Sequence, residues 1–580
     1  MGRYNLLEEP WIAVLSDKTG EKKEVSMLEF FRDAGSFQSL AGEMETQNFA
    51  VFRFLLAVVQ TVFSRFDLEG KALPGEELDE QWRQIEPVDE DDLDDYNDAV
   101  EACWKELYRS GTFPKILTDY LEKWRDHFFL FDEKYPFYQV NQAEMNEIMS
   151  KIPNKRQPTT VYGKNLNRTI SESENKTALF SPVSNSRSGK RGRKDTLTQA
   201  ELTRWLLTFQ GYSGLADKVS LVKANRRASK GWLFDLGGIY LKGRNLFETL
   251  VINYIPGCPS DNQKLSGRIQ KPCWEFSGKD VVERLCAESF IDNLAELYTN
   301  WGRAIFIALE TDPSEPVEIQ IVKLPEIEHS EYSIEPMTLW KKSKDESNKS
   351  HFTLKKHEAE QALWRSFGLM AMKTSSEEEN YQRQPGIFAQ YERLKKAAGS
   401  QWTDVIGISM EDDGNSTSWL PVDEITDSFR INDFIVTDND TDGWVVRINN
   451  VVETTKDVIS RIYENYLRGI CEIRNLRLKP IDPLAQGFIT RESETMYAMI
   501  DRAFKEWLLS LTPGDSKEDK TKEWCLQLRK IVLKRGRELF ENSTSRDLKG
   551  RMTGSGVENI ATKYLQFLHC VNKKLGGGKA

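Results

Sequence analysis

Val451-Val452-Glu453-Thr454-Thr455-Lys456-Asp457-Val458-Ile459-Ser460-Arg461-Ile462-Tyr463-Glu464-Asn465-Tyr466-Leu467 returns to an apolar residue every three or four positions. That period places Val451, Val452, Val458, Ile459, Ile462, Tyr463, Tyr466 and Leu467 on one stripe of a helix from about Asn449 to Asn475, with charged residues on the opposite side. Further segments follow the same rule: Thr490 to Leu511 (Met496, Met499, Ile500, Phe504, Trp507, Leu508), Lys520 to Asn542 (Trp524, Leu526, Leu528, Leu533) and Gly556 to Leu575. Short polar links join them, which predicts an antiparallel four-helix bundle at the end of the chain. The stripes read as core, not as cofactor sites.

Upstream the texture is mixed. A strand from Trp11 to Leu15, a turn at Asp17-Lys18-Thr19-Gly20 and a strand ending near Val25 precede an apolar helix from Ala50 to Phe66. Thr196 to Phe209 reads as a helix with Leu197, Leu202, Trp205, Leu206 and Phe209 on one face. Trp232-Leu233-Phe234 and Ile239-Tyr240-Leu241 look like short strands between glycines, and Leu246 to Tyr254 looks helical. Ala304 to Leu309 and Val317 to Val322 read as strands, and Ala359 to Met372 as a helix. The fold class is therefore α+β: a large mixed α/β N-terminal body over residues 1–440, followed by a C-terminal four-helix bundle over 441–580. From about 154 to 195 polar, Gly and Ser residues dominate, too few apolar anchors to order the segment by burial, so a long loop system is expected there.

Charge separates the chain into regions. The 580 residues carry a net charge of −11, so the protein as a whole repels polyanions and must meet any nucleic acid through local patches. One patch is Ser186-Arg187-Ser188-Gly189-Lys190-Arg191-Gly192-Arg193-Lys194, read either as a set of phosphate contacts or as a solvated charge run. The acidic run between Glu76 and Asp95 reads as a solvated insertion or as a docking, nucleic-acid-mimicking surface. The 7 cysteines are odd in number, scattered and never in CxxC spacing, which argues against disulfides and for the cytoplasm. The N-terminus lacks the apolar run of a signal peptide, and no stretch of about 18 apolar residues predicts a membrane span.

Chemistry-bearing motifs are scarce. The 5 histidines (His127, His329, His351, His357, His569) form no HxxH or HExxH, and there is no GxxxxGK[ST], GxSxG or strand-preceded GxGxxG. No catalytic residue, cofactor or metal is expected. Cys258, Cys273 and Cys286 share a neighbourhood without pairing, and Cys273 reads as a buried thiol beside Trp274.

Several short blocks, in order, carry a family resemblance. Asn5-Leu6-Leu7-Glu8-Glu9-Pro10-Trp11-Ile12 resembles the opening "NLL-x-x-x-WI" of the CasA family, the large subunits of the type I-E CRISPR surveillance complex Cascade. Tyr135-Pro136-Phe137-Tyr138-Gln139 is similar to its "HPFMQ" segment, with Tyr135 in place of His. Asn175-Lys176-Thr177-Ala178-Leu179-Phe180 resembles its recognition loop, and Leu206-Leu207-Thr208-Phe209-Gln210 the helix end that enters its glycine loop. With the terminal bundle, these blocks span nearly the full length.

The resemblance implies a non-enzymatic subunit that reads the protospacer-adjacent motif of double-stranded target DNA, helps open the duplex into an R-loop, and presents a surface to a helicase-nuclease, beside other Cascade subunits. Asn175, Lys176 and Phe180 would then touch the 5′ end of the guide RNA (crRNA), unless Phe180 only anchors its loop. Arg187, Lys190, Arg191, Arg193 and Lys194 extend that loop. The glycine loop falls at Gly211-Tyr212-Ser213-Gly214, where a bare backbone approaches a DNA groove or Gly211 is simply a helix C-cap. Glu335-Pro336-Met337-Thr338-Leu339-Trp340-Lys341-Lys342 resembles the strand whose double lysine, here Lys341 and Lys342, reaches the minor groove. Gly414-Asn415-Ser416-Thr417-Ser418-Trp419 sits where the family has an Asn-Gln wedge. Ser416 at the Gln position leaves Asn415, Trp419 or a plain type I turn as readings. A protein scaffold without DNA readout and a nuclease with a dispersed metal site are the alternative functions.

Overall fold

The computed structural model describes residues 4–152, 156–166, 196–215, 217–222, 226–256, 266–288, 290–309, 317–328, 334–344, 350–373, 383–395, 402–414, 417, 419–554 and 556–576. The chain forms two compact units: one of Met1–His357, Thr374–Ala397 and Asp404–Asp427, the other of Glu358–Lys373, Ala398–Thr403 and Ser428–Ala580. Most of the sequence-predicted recognition loop, at 167–195, lies outside the described residues.

The first unit is built on small antiparallel sheets around one central helix. Strands β1 (Ile12–Ser16), β2 (Lys22–Val25) and β3 (Phe37–Leu40) pair in the order β2-β1-β3. Helix α1 (Glu45–Phe63) is buried along nearly its whole length and is apolar enough to span a membrane by composition alone; its apolar window lies wholly inside the protein, as expected of a core helix. Its N-terminus lacks a side-chain cap of its own. Instead the Glu424 carboxylate accepts hydrogen bonds from Glu45 N at 3.2 Å, Thr46 N at 2.8 Å and Thr46 Oγ1 at 2.9 Å, satisfying helix-end donors from 378 residues away.

The acidic run is only partly a solvated insertion. Val88 is buried and its N–H bonds to the Gly267 carbonyl at 3.0 Å, and helix α2 (Leu93–Ser110) starts within the run. Asp94 and Asp95 occupy its first turn, where the helix dipole favours negative charge.

A second sheet takes the order β4-β7-β6, from β4 (Thr159–Tyr162), β6 (Arg303–Ile307) and β7 (Glu318–Lys323). The segment expected to be an irregular loop therefore contributes a strand, which is half-buried through β7 pairing rather than by its own apolar content. Between them run helix α3 (Gln199–Gly211), which Thr198 and Glu201 start with a capping box, and helix α4 (Leu246–Asn253). Trp232-Leu233-Phe234 is not a strand: Gly231 at φ +93° turns the chain and Trp232–Asp235 closes as a 3-10 turn. The third sheet is β11-β10-β5, of β5 (Gly238–Lys242), β10 (Trp402–Asp412) and β11 (Pro421–Asn432), and β8 (Leu339–Lys344) pairs with β9 (Ser350–Lys355) as a separate hairpin.

The second unit is helical. Helix α5 (Trp444–Asp457) continues through a π-helical turn, Val458–Tyr463, into α6 (Glu464–Ile473); α7 (Pro483–Leu509), α8 (Lys517–Glu541) and α9 (Ile560–Leu575) complete the bundle. Its core is aromatic. Trp364 stacks on Phe504 with centroids 4.2 Å apart, and Trp524 lies 5.2 Å from Phe504 and 5.6 Å from Trp507. Trp524 Nε1 donates to Thr455 Oγ1 at 3.0 Å, so the one polar atom of the ring is satisfied.

Three expectations change here. Gly556 does not begin the last helix: Arg551–Thr553 pairs with Gly556–Glu558 as strands β12 and β13, and Asn559 caps α9 afterwards. Leu526 is 60% exposed, because it lies two residues, about 200° of helix turn, from the buried Trp524. Ala359 to Met372 is not one helix but a 3-10 turn, Leu363–Ser366, followed by the single-turn helix Phe367–Ala371.

Candidate nucleic-acid interface

The motif blocks at the chain start are structural. Asn5 Oδ1 accepts from Leu7 N at 2.9 Å and Trp11 Nε1 donates to the Leu6 carbonyl at 3.1 Å, while Gln139 Nε2 donates to the Leu130 carbonyl at 2.8 Å. Tyr135, which stands for the family's His, stacks on His127 with centroids 3.9 Å apart. Cys273 is buried, and burial pushes its thiol up to about 12, far from a metal-ready thiolate. Among the described residues no cluster of His, Cys, Asp and Glu is arranged to hold a metal; Cys258 lies outside them.

Two of the candidate interface elements, the lysine hairpin and the wedge hairpin, meet at one short stretch, Gly237-Gly238, at the start of β5. On one edge Gly238 pairs with Ile408 of β10, whose hairpin with β11 carries the candidate wedge. On the other, Leu339 N donates to the Gly237 carbonyl at 3.1 Å and Ile239 N to the Met337 carbonyl at 3.0 Å, so β8 springs from the same place. A Cβ on Gly237 would collide with the Lys355 carbonyl at the end of β9. Glycine is required there by the close approach of backbone. His357 closes the junction: its Nε2, 2.8 Å from the Gly238 carbonyl, must carry the proton, since a carbonyl only accepts.

Lys341 and Lys342 are exposed on β8. Lys341 pairs with Thr353 and Lys342 with the buried Phe352, so the two side chains leave opposite faces of the hairpin. Lys341 shares the polar face of Ser343 and Thr353, whose hydroxyls lie 3.0 Å apart; the stem of Lys342 lies on the apolar face. The root of the hairpin is fixed from below. Glu335 accepts from Arg53 Nη1 and Nη2 at 2.7 and 2.8 Å, from Trp232 Nε1 at 2.6 Å and from Met337 N at 2.9 Å.

Gly211 and Gly214 are buried, and their missing side chains make room for protein. A Cβ on Gly211 would come 2.8 Å from Leu233, and one on Gly214 2.5 Å from the Trp419 carbonyl. Gly214 takes φ +70°, donates to the Lys230 carbonyl at 3.0 Å and accepts from Arg303 Nη2 at 2.5 Å. Its backbone is thus engaged internally, which replaces the expected bare backbone facing a groove with a packed junction.

At the hairpin tip Gly414 (φ +69°) and Trp419 (φ +44°) flank Asn415 and Ser416, which lie outside the described residues. So do Asn175, Lys176, Phe180, Arg187, Lys190, Arg191, Arg193 and Lys194. Lys230, missed in the sequence, places its ammonium 4.7 Å from the Trp419 ring centroid and 2.7 Å from Asp235. Lys356 lies 4.5 Å from the Phe234 ring and 3.5 Å from Asp412; burial holds it below the usual lysine range, with Asp235 and Asp412 opposing that shift. The signal was present: Asp217 to Lys230 contains Lys218, Lys223, Arg226, Arg227 and Lys230 directly after the glycine segment. Arg226, however, is spent on the Leu285, Cys286 and Glu326 carbonyls.

The family model described as CRISPR-associated protein Cse1 matches residues 5–534. The chain belongs to the Cse1 family. A Cse1 relative, CasA/Cse1 of Thermus thermophilus, is 27% identical over 277 residues, which is 47% of this chain and 42% of that protein's length. The crystal structure of Thermobifida fusca Cse1 has the same fold, with a TM-score of 0.72 at 20% identity over 99% of this chain and 98% of that one. A chain of a structure titled CRISPR RNA-guided surveillance complex shares it too, at a TM-score of 0.63 and 14% identity over 98% of this chain and 100% of that one.

Proposed function

We propose that this Cse1 protein is the large, non-catalytic subunit of an RNA-guided CRISPR surveillance complex in the cytoplasm. In this reading it recognises the protospacer-adjacent motif in double-stranded DNA, starts strand separation toward an R-loop, and recruits a helicase-nuclease that does the cutting. The segment around Phe180 meets the 5′ end of the guide RNA and a neighbouring subunit. The observation that supports this reading is the common root of the β8-β9 and β10-β11 hairpins on Gly237-Gly238, since two elements meant to act on one duplex need one support. A lysine donating to the acceptors shared by A·T and T·A pairs reads permissively, so several motifs are accepted.

The burial of Gly211 and Gly214 favours one competing reading, a scaffold subunit without direct readout. Reconstitution separates the two. A guide-RNA complex assembled with this subunit captures matched duplex only beside a permitted motif; a scaffold leaves capture indifferent to the flanking bases.

A further inference from the structure

Beneath the candidate interface lies a fully buried cation. Arg303, at the start of β6, donates from Nη1 to the Ser229 and Gly302 carbonyls, each at 2.7 Å, and from Nη2 to the Gly214 carbonyl at 2.5 Å and Asp217 Oδ1 at 2.9 Å. Its side chain is 0% exposed and that of Asp217 is 7% exposed. Gln210 locks the Arg303 backbone from the other side, accepting from its N–H at 2.9 Å and donating to its carbonyl at 3.0 Å. One residue thus ties Gln210 near the end of α3, Gly214 at the far end of the glycine segment, and Ser229 beside Lys230.

Stability alone does not explain this choice. Burying an ion pair costs desolvation that well-packed apolar residues avoid, and burial pulls the Arg303 guanidinium below its ordinary range. Arg303 Nε, Asp217 Oδ2 and Ser213 Oγ are also buried without a hydrogen-bond partner among the described residues, a concentration of cost at one point. What the arrangement provides is placement. Gly214 is held by Arg303 on its carbonyl and by Lys230 on its N–H, and is pressed against the Trp419 carbonyl so closely that a Cβ does not fit. The Lys230 ammonium in turn lies by the Trp419 ring.

We propose that Arg303 and Asp217 are positioning residues: their ion pair fixes Gly214 against Trp419 and thereby sets Trp419, the described residue of the candidate wedge, relative to the duplex. This rests on the duplex-reading function proposed above. Neither residue touches DNA; both act through the glycine segment and the tip.

The test uses the fully assembled guide-RNA complex carrying Asp217→Asn, which keeps the shape but removes the charge, or Arg303→Lys, which cannot reach several carbonyls at once. Two matched targets are compared, a full duplex and one whose first base pairs beside the motif are already mismatched open. The expected result is about a 10-fold slower capture of the full duplex, with capture of the opened target within about 2-fold of the unmutated complex. Equal loss on both targets means a merely structural role and overturns the inference. Unchanged duplex capture, with Lys341→Ala/Lys342→Ala still impaired, overturns it while leaving duplex reading intact; if the lysine variant is unimpaired as well, duplex reading itself fails and the inference with it. In the unmutated complex, which needs no variant to fold, amide hydrogen exchange of 211–215 and of Trp419 and Leu420 should slow together when duplex binds. Protection of one segment without the other contradicts the proposal.

Discussion

Arg53 and Glu335 lie 282 residues apart in the chain and meet as a two-pronged ion pair of 2.7 and 2.8 Å, with side chains 1% and 0% exposed. The central helix α1 thereby holds the root of the lysine hairpin. Removing one partner leaves the other charge buried and unpaired, which costs about 3–5 kcal/mol. Glu335→Ala is expected to lower unfolding stability by that amount in urea titrations. A loss below about 1 kcal/mol means that the root is held by other contacts.

In the second unit Trp364, Phe504, Trp507 and Trp524 form an aromatic cluster, and Phe504 at its centre is 0% exposed. Phe504→Ala is expected to cost about 3–5 kcal/mol by lost burial and the cavity left behind. An unchanged melting curve contradicts the assignment of this face to the core.

Acid should weaken the first unit in a defined window. Burial, the largest cause in each case, holds the His127 and His357 imidazoles down at about 4. An unfolded histidine takes up its proton near pH 6.5, so the unfolded state binds more protons between about pH 6.5 and 4. The stability these neutral rings contribute is complete above that window and is lost as pH falls through it. His357→Gln, which can still donate to the Gly238 carbonyl, should flatten the fall in denaturant midpoint from pH 7 to pH 4; an identical pH profile for the variant contradicts this.

The helices α5, α7 and α8 were legible because Val451, Met496, Trp524 and their neighbours repeat at helical spacing, and local period is what a single sequence records best. The hairpin β12-β13 was not, because three-residue strands carry no period, and Gly556 reads as the start of the last helix until Asn559 is recognised as the cap. At the candidate interface, Lys341 and Lys342 were singled out through a family motif, and both side chains are exposed on β8, while their reading of DNA belongs to the proposal. The support was not. Arg303, Glu335 and Gly237 act through partners tens to hundreds of residues distant, and a charged residue entering an apolar strand, as Arg303 does before Ala304-Ile305, was the only local sign. The reading of Gly211 and Gly214 as bare backbone for DNA missed that the same absence of side chains serves contact with Leu233 and Trp419.

The affinity of the reconstituted guide-RNA complex for a matched, motif-flanked duplex, with and without Lys341→Ala/Lys342→Ala, bears most directly on whether this protein reads double-stranded DNA. Loss of a groove contact at about 1–3 kcal/mol should weaken duplex binding by about 5- to 160-fold, while binding of the same target as a single strand stays unchanged. Equal duplex affinities for the two complexes contradict the account.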